Sequence, residues 1–106
     1  MVTIEDFMKL ELVVARVKEA TAHPDADKLL VLKVDAGGEE RQLVAGIRKA
    51  YVPETLVGRD VVIIKNLQPV VLRGVESQGM VLAAAGEDGP VLLAPDRDVP
   101  AGSRVK

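Results

Sequence analysis

The apolar residues of this chain come in short runs, and turn chemistry stops every one of them. LVVARV (12–17), LLVLKV (29–34), QLVAGI (42–47), VVII (61–64) and VVL (70–72) are separated by Gly37-Gly38, Pro53, Gly58, Pro69, Gly74 and Gly79. No run approaches the ~20 residues that a membrane-spanning helix needs. Valine dominates the apolar set, and β-branched side chains suit a pleated, half-buried surface better than a helix. Many short strands punctuated by Gly and Pro imply a sandwich or a barrel. Tyr51 and Phe7 are the only aromatic residues among Phe, Trp and Tyr, so the core must be aliphatic.

Along the chain, Thr3 followed by Glu5 and Asp6 has the chemistry of a helix start, and Ile4, Phe7 and Met8 share a face at helical spacing. A short helix over 3–9 is expected. Segment 10–21 alternates imperfectly and reads as a strand with room for a bulge near 13–15. HPDAD (23–27) is a turn, 28–36 a second strand, and Gly37-Gly38 a hairpin turn into a third strand over 39–47. PETLVG (53–58) suggests one helical turn between Pro53 and Gly58. Strands are expected at 60–67, 70–74, 78–85 and 91–94, with a tail of loop and edge structure. Five principal strands, a helical insertion between the third and fourth, and appended C-terminal strands fit an all-β, OB-fold five-stranded barrel. With no linker or repeat, residues 1–106 form a single domain.

Little in the chain supports catalysis. It has one histidine, His23, and neither a G-x-S-x-G elbow, a P-loop nor a G-x-G-x-x-G. It has no cysteine, which rules out disulfides and thiolate metal sites and points to a reducing cytoplasm. The start, MVTIEDFMKL, lacks the basic region of a signal peptide. His23, Asp25 and Asp27 alternate, so in an extended segment they would point one way and could hold a divalent ion. Pro24 argues against a regular strand there, and a solvated turn with Asp25 or Asp27 bonded to backbone amides is the preferred reading. No metal and no cofactor is expected.

The net charge of −2 counts against a surface that is basic throughout. Its distribution is uneven. Residues 1–40 hold nine acids and five bases, whereas residues 41–80 hold six bases and three acids. Any phosphate contact must therefore rest on a local basic surface.

Two segments go beyond generic barrel sequence: AHPDADKLLVLKVDAG (22–37) and KNLQPVVLRGVESQGMVLAA (65–84). They resemble the tRNA-binding domain family related to the methionyl-tRNA synthetase C-terminus and to the vertebrate endothelial monocyte-activating polypeptide. That family shows a His-Pro-x-Ala-Asp-Lys-Leu loop, an Asn-Leu-x-Pro stretch, an Arg-Gly and a Ser-x-Gly-Met. The corresponding residues here are His23–Leu29, Asn66–Pro69, Arg73–Gly74 and Ser77–Met80. Weaker matches at 4–12, 41–47, 51–67 and the tail carry the likeness over essentially the whole chain. One departure stands out: Glu11-Leu12-Val13-Val14 replaces the family's frequent Asp-Leu-Arg-Val, which removes an arginine and any implied cytokine peptide.

The resemblance implies a non-catalytic, structure-specific tRNA-binding module, either free-standing or the C-terminal dimerisation domain of a methionyl-tRNA synthetase. It points to Lys28, Asn66, Arg73, Ser77 and Met80 as the binding surface, with Arg41 and Lys65 as weaker additions. The chemistry suits each: ammonium or guanidinium on phosphate, an amide on a base edge or 2′-OH, a hydroxyl on the backbone, and a thioether as platform for an unstacked base. With so few aromatics for stacking, folded tRNA shape is the expected target. The implied homodimer would use Ile4, Phe7 and Met8 together with the apolar segments 81–85 and 91–94. The alternative, on the same fold, is a dimeric export chaperone that binds unfolded peptides.

Overall fold

A computed structural model describes all 106 residues. Helix α1 spans Ile4–Met8, and the Thr3 side chain accepts a hydrogen bond from the Asp6 amide at its start. The strands are β1 (Leu12–Ala22), β2 (Leu30–Asp35), β3 (Glu40–Ala45), β4 (Asp60–Ile64), β5 (Val70–Leu72), β6 (Val75–Ser77), β7 (Met80–Val81), β8 (Ala83–Gly86) and β9 (Gly89–Leu92). A 3-10 turn over Pro53–Leu56 lies between β3 and β4. The main sheet has five antiparallel strands in the order β3-β2-β1-β4-β7; β5–β6 and β8–β9 are separate hairpins.

Alternation explains β2, whose Leu30, Leu32 and Val34 are fully buried while the residues between them are half exposed. The first half of β1 is buried on both faces. Here β1 pairs with β4 on one side, while the tail occupies the other. Val14 donates to Ser103 O at 2.9 Å, and Gly102 and Val105 donate to Val14 O and Leu12 O. The tail lies close against the β2–β3 turn. A Cβ on Gly37 would come within 2.9 Å of Gly102 Cα, which only glycine permits. Asp35 Oδ1 accepts from the amides of Gly37 and Gly38, and this explains the hairpin read from the Gly-Gly pair.

The core is aliphatic. Val13, Ala15, Val17, Leu30, Leu32, Val34, Leu43, Val61 and Ile63 face inward, and Leu56 of the 3-10 turn packs with them, fully buried. Tyr51 packs against this cluster, and its hydroxyl accepts from the Leu92 amide at 3.0 Å. The barrel closes between β3 and the segment joining β6 to β7. Gln78 donates to Gln42 O at 2.7 Å, and Val44 donates to the Ser77 hydroxyl at 3.0 Å. Gly79 completes the seam: a Cβ there would sit 2.7 Å from Ile64 O, so a side chain would force the strands apart.

Several local expectations differ from the structure: β4 ends at Ile64 and not at 67, and the last strand is Gly89–Leu92 and not 91–94. The β1 bulge falls between Val17 and Glu19, beyond the predicted 13–15, because the earlier residues pair regularly with β4. Segment 70–74 is not one strand: Arg73 and Gly74, at φ of 53° and 88°, form the turn of the β5–β6 hairpin. Segment 78–85 divides into β7 and β8 at Leu82, where the chain leaves β4 to begin the second hairpin.

Candidate nucleic-acid interface

Loop 23–29 organises one end of the barrel, and it does so around a buried side chain. His23 is 2% exposed. Its Nδ1 accepts from the Asp25 amide at 2.9 Å, and its Nε2 lies 3.0 Å from Leu72 O. The turn is therefore built on the imidazole, which corrects the expectation that Asp25 or Asp27 would hold the backbone amides. Both ring nitrogens face backbone groups, and no three of His, Cys, Asp and Glu converge as metal ligands.

Three cations gather on this loop. Lys28 is exposed at its end. Arg48 Nη1 donates to Ala26 O at 3.2 Å, and the Arg48 amide donates to Lys28 O. Arg73 Nη2 donates to Asp25 O at 3.1 Å. Each guanidinium is steadied by one loop carbonyl, leaving further N–H groups for a ligand. None of the three has a carboxylate within ion-pair distance. Arg73 is also the one non-glycine residue with positive φ, a conformation that costs a bulky side chain about 1 kcal/mol or more. The sequence reading missed Arg48 and its neighbour Lys49, although both lie in the stretch whose net charge is positive. That excess was the available signal.

Arg41 and Lys65 sit elsewhere and are already engaged. Arg41 pairs with Glu39 and donates to Lys65 O at 3.0 Å and Gln78 O at 3.2 Å. Lys65 Nζ lies 3.4 Å from the other Glu39 oxygen. The Arg41 hydrogen bond, aided by both nearby positive charges, holds the Glu39 carboxyl below its ordinary range. Asp35 is likewise lowered, by the Gly38 and Gly37 amides.

Asn66 and Ser77 are occupied by backbone. Asn66 Oδ1 accepts from the Glu11 amide at 2.8 Å, and its Nδ2 donates to Lys9 O at 2.7 Å, so it fastens the link between α1 and β1. The buried Ser77 hydroxyl accepts from Val44 N and donates to Gly79 O. Met80 is 43% exposed and borders an apolar groove of about 500 Å³ shared with Ala45, Ile47, Leu67, Val70 and Leu72. Helix α1 buries none of its residues; Ile4 and Met8 are exposed and Phe7 is half-buried. Val91 and Leu93 are exposed on the opposite, C-terminal part of the chain.

Comparison with known proteins places these features in a wider set. The family model described as "Putative tRNA binding domain" matches residues 12–104. The chain is 53% identical over 105 residues to the methionine–tRNA ligase of Thermococcus onnurineus, covering 99% of this chain and 14% of that enzyme. It thus spans about a seventh of the length of that curated relative. A MetRS-related protein from Pyrococcus horikoshii superposes with a TM-score of 0.92 at 39% identity, covering 100% of this chain and 98% of that one. The chaperone CsaA of Bacillus anthracis superposes at 0.90 and 31% identity, covering 100% and 99%.

Proposed function

The chain belongs to the tRNA-binding domain family, and on that premise we propose that it binds folded tRNA through the basic end of the barrel around loop 23–29. The observation that carries the reading is the convergence of Lys28, Arg48 and Arg73 on one loop with no carboxylate in ion-pair contact with any of them. Phosphates along a folded RNA would engage the free guanidinium and ammonium donors. Asn66 and Ser77 act in this reading as positioning residues, since their polar atoms hold α1 and the β3 seam. Arg41 and Lys65 are secondary to the loop cations because both are already engaged by Glu39. Met80 offers an apolar rim on which one unpaired base would rest.

The module performs no chemistry of its own and raises the local concentration of tRNA for a methionyl-tRNA synthetase, in cis or in trans. It works in the cytoplasm, beside that synthetase. It assembles as a homodimer through the exposed apolar faces of α1 and the C-terminal strands. Two copies would double the phosphate footprint and add avidity.

A second reading has its own support. The apolar groove beside Met80 and the likeness to CsaA favour binding of unfolded peptide. A fluorescence-anisotropy titration with labelled folded tRNA, an unstructured RNA of equal length and an unfolded polypeptide separates them. Tighter, salt-dependent binding of the folded tRNA supports the first reading. Equal or undetectable binding of both RNAs, with retention of the polypeptide, replaces it with the second.

A further inference from the structure

His23 is the one titratable side chain in the buried set, and its role is not explained by phosphate contact. Its partners fix where its proton sits. The Asp25 amide can only donate, so Nδ1 is bare; the Leu72 carbonyl can only accept, so Nε2 carries the hydrogen. Leu72 immediately precedes Arg73, and Arg73 returns a hydrogen bond to Asp25 O. Three bonds thus close a circuit from His23 to Leu72, through Arg73 to Asp25, and back to the imidazole. It joins the loop that carries Lys28 and steadies Arg48 to the hairpin that presents Arg73.

We propose that His23 is a positioning residue for the RNA-binding surface, its Nε2–H on Leu72 O and its bare Nδ1 under the Asp25 amide holding the two cation-bearing segments in register. The proposal rests on the reading of that surface given above. A side chain at this position that cannot reach Leu72 O leaves loop and hairpin without their common anchor. The charged residues around the circuit are Asp25, Asp27 and Lys28 on the same loop, Arg73 and Glu76 on the hairpin, and Arg48 and Lys49 after β3.

Loss of positioning weakens binding without removing a cation, because only the fraction of molecules with the surface assembled binds well.

The test is tRNA affinity and its salt dependence at pH 8 for the wild type, His23→Gln and His23→Asn, with thermal melts confirming that each variant folds. Glutamine reaches the Leu72 carbonyl with its amide; asparagine is too short to do so. His23→Asn should bind about tenfold more weakly than the wild type with an unchanged slope of log K against log salt, since no cation is lost, and His23→Gln should restore most of that loss. In parallel, nitrogen NMR of the free protein should show an Nε2–H imidazole and a protected Asp25 amide at pH 8. A folded His23→Asn variant that binds like the wild type, or a His23→Gln variant as weak as His23→Asn, overturns the positioning role while leaving tRNA binding intact. Failure of the wild type to bind tRNA at pH 8 overturns the RNA reading instead, and an Nδ1–H imidazole at that pH overturns the circuit regardless of RNA.

Discussion

Two groups of cations on this barrel are built from the same residue types and are prepared for different tasks. Arg41 and Lys65 share the carboxylate of Glu39, and Arg41 also ties down the carbonyls of Lys65 and Gln78. Arg48 and Arg73 lean on the carbonyls of Ala26 and Asp25, beside the exposed Lys28. A carboxylate partner neutralises a guanidinium. A carbonyl partner orients it and leaves its charge available. The first group closes the barrel where β3 meets the β6–β7 segment; the second sits at the loop end with no carboxylate in ion-pair contact, on a chain whose net charge is −2. On the proposed reading, what distinguishes a binding arginine from a structural one is its nearest acceptor, which sequence does not display.

The sharpest attempt to break this contrast is the double substitution Arg48→Ala/Arg73→Ala. It should weaken tRNA binding about 100-fold, or ~3 kcal/mol, and lower the slope of log K against log salt by about two. Arg73→Ala alone should lose about tenfold and one unit of that slope. It should leave the melting temperature unchanged or slightly raised if a glycine is used instead, because the positive φ then carries no strain. Arg41→Ala should do the opposite. Affinity should stay within about twofold, while two carbonyls lose their donor and stability falls by about 1–2 kcal/mol, a drop of several degrees in thermal melting.

Glu39→Gln sharpens the comparison from the other side by releasing the charges of Arg41 and Lys65. Binding of RNA, folded or not, should rise by about twofold to threefold at low salt and return to the wild-type level at high salt. The smallest effect is on pH stability. Glu39 and Asp35 both have carboxyl groups lowered in the folded state, so the stability they supply is present above the ordinary carboxylate range and lost as pH falls through and below about 4. Melting temperatures measured from pH 6 to pH 2.5 should show the decline, and Asp35→Asn combined with Glu39→Gln should flatten it.

Much of the barrel was legible because alternation and turn chemistry agree with burial. Leu30, Leu32 and Val34 announce β2, and Asp35-Ala36-Gly37-Gly38 announces its hairpin. The Arg73-Gly74 turn was harder to see, since arginine gives no hint that it will accept a positive φ; tertiary bonds to Asp25 hold it there. Lys28 and Arg73 could be named from motifs, but Arg48 could not, as it gains its place through Ala26, far away in sequence. Asn66 and Ser77 illustrate the converse. Their motif positions were plain, yet their polar atoms turn inward to Lys9, Glu11, Val44 and Gly79, contacts between distant segments that no local pattern encodes.

On the proposed reading, RNA meets the barrel at the loop end and not at the Glu39 cluster. The direct check is to titrate labelled protein with folded tRNA while following its backbone amides by NMR. Lys28, Arg48, Lys49, Arg73 and Gly74 should shift first and furthest, with Glu39, Arg41 and Lys65 little changed. Shifts concentrated at Glu39, Arg41 and Lys65, with the 23–29 loop and the Arg73 turn unmoved, would contradict it.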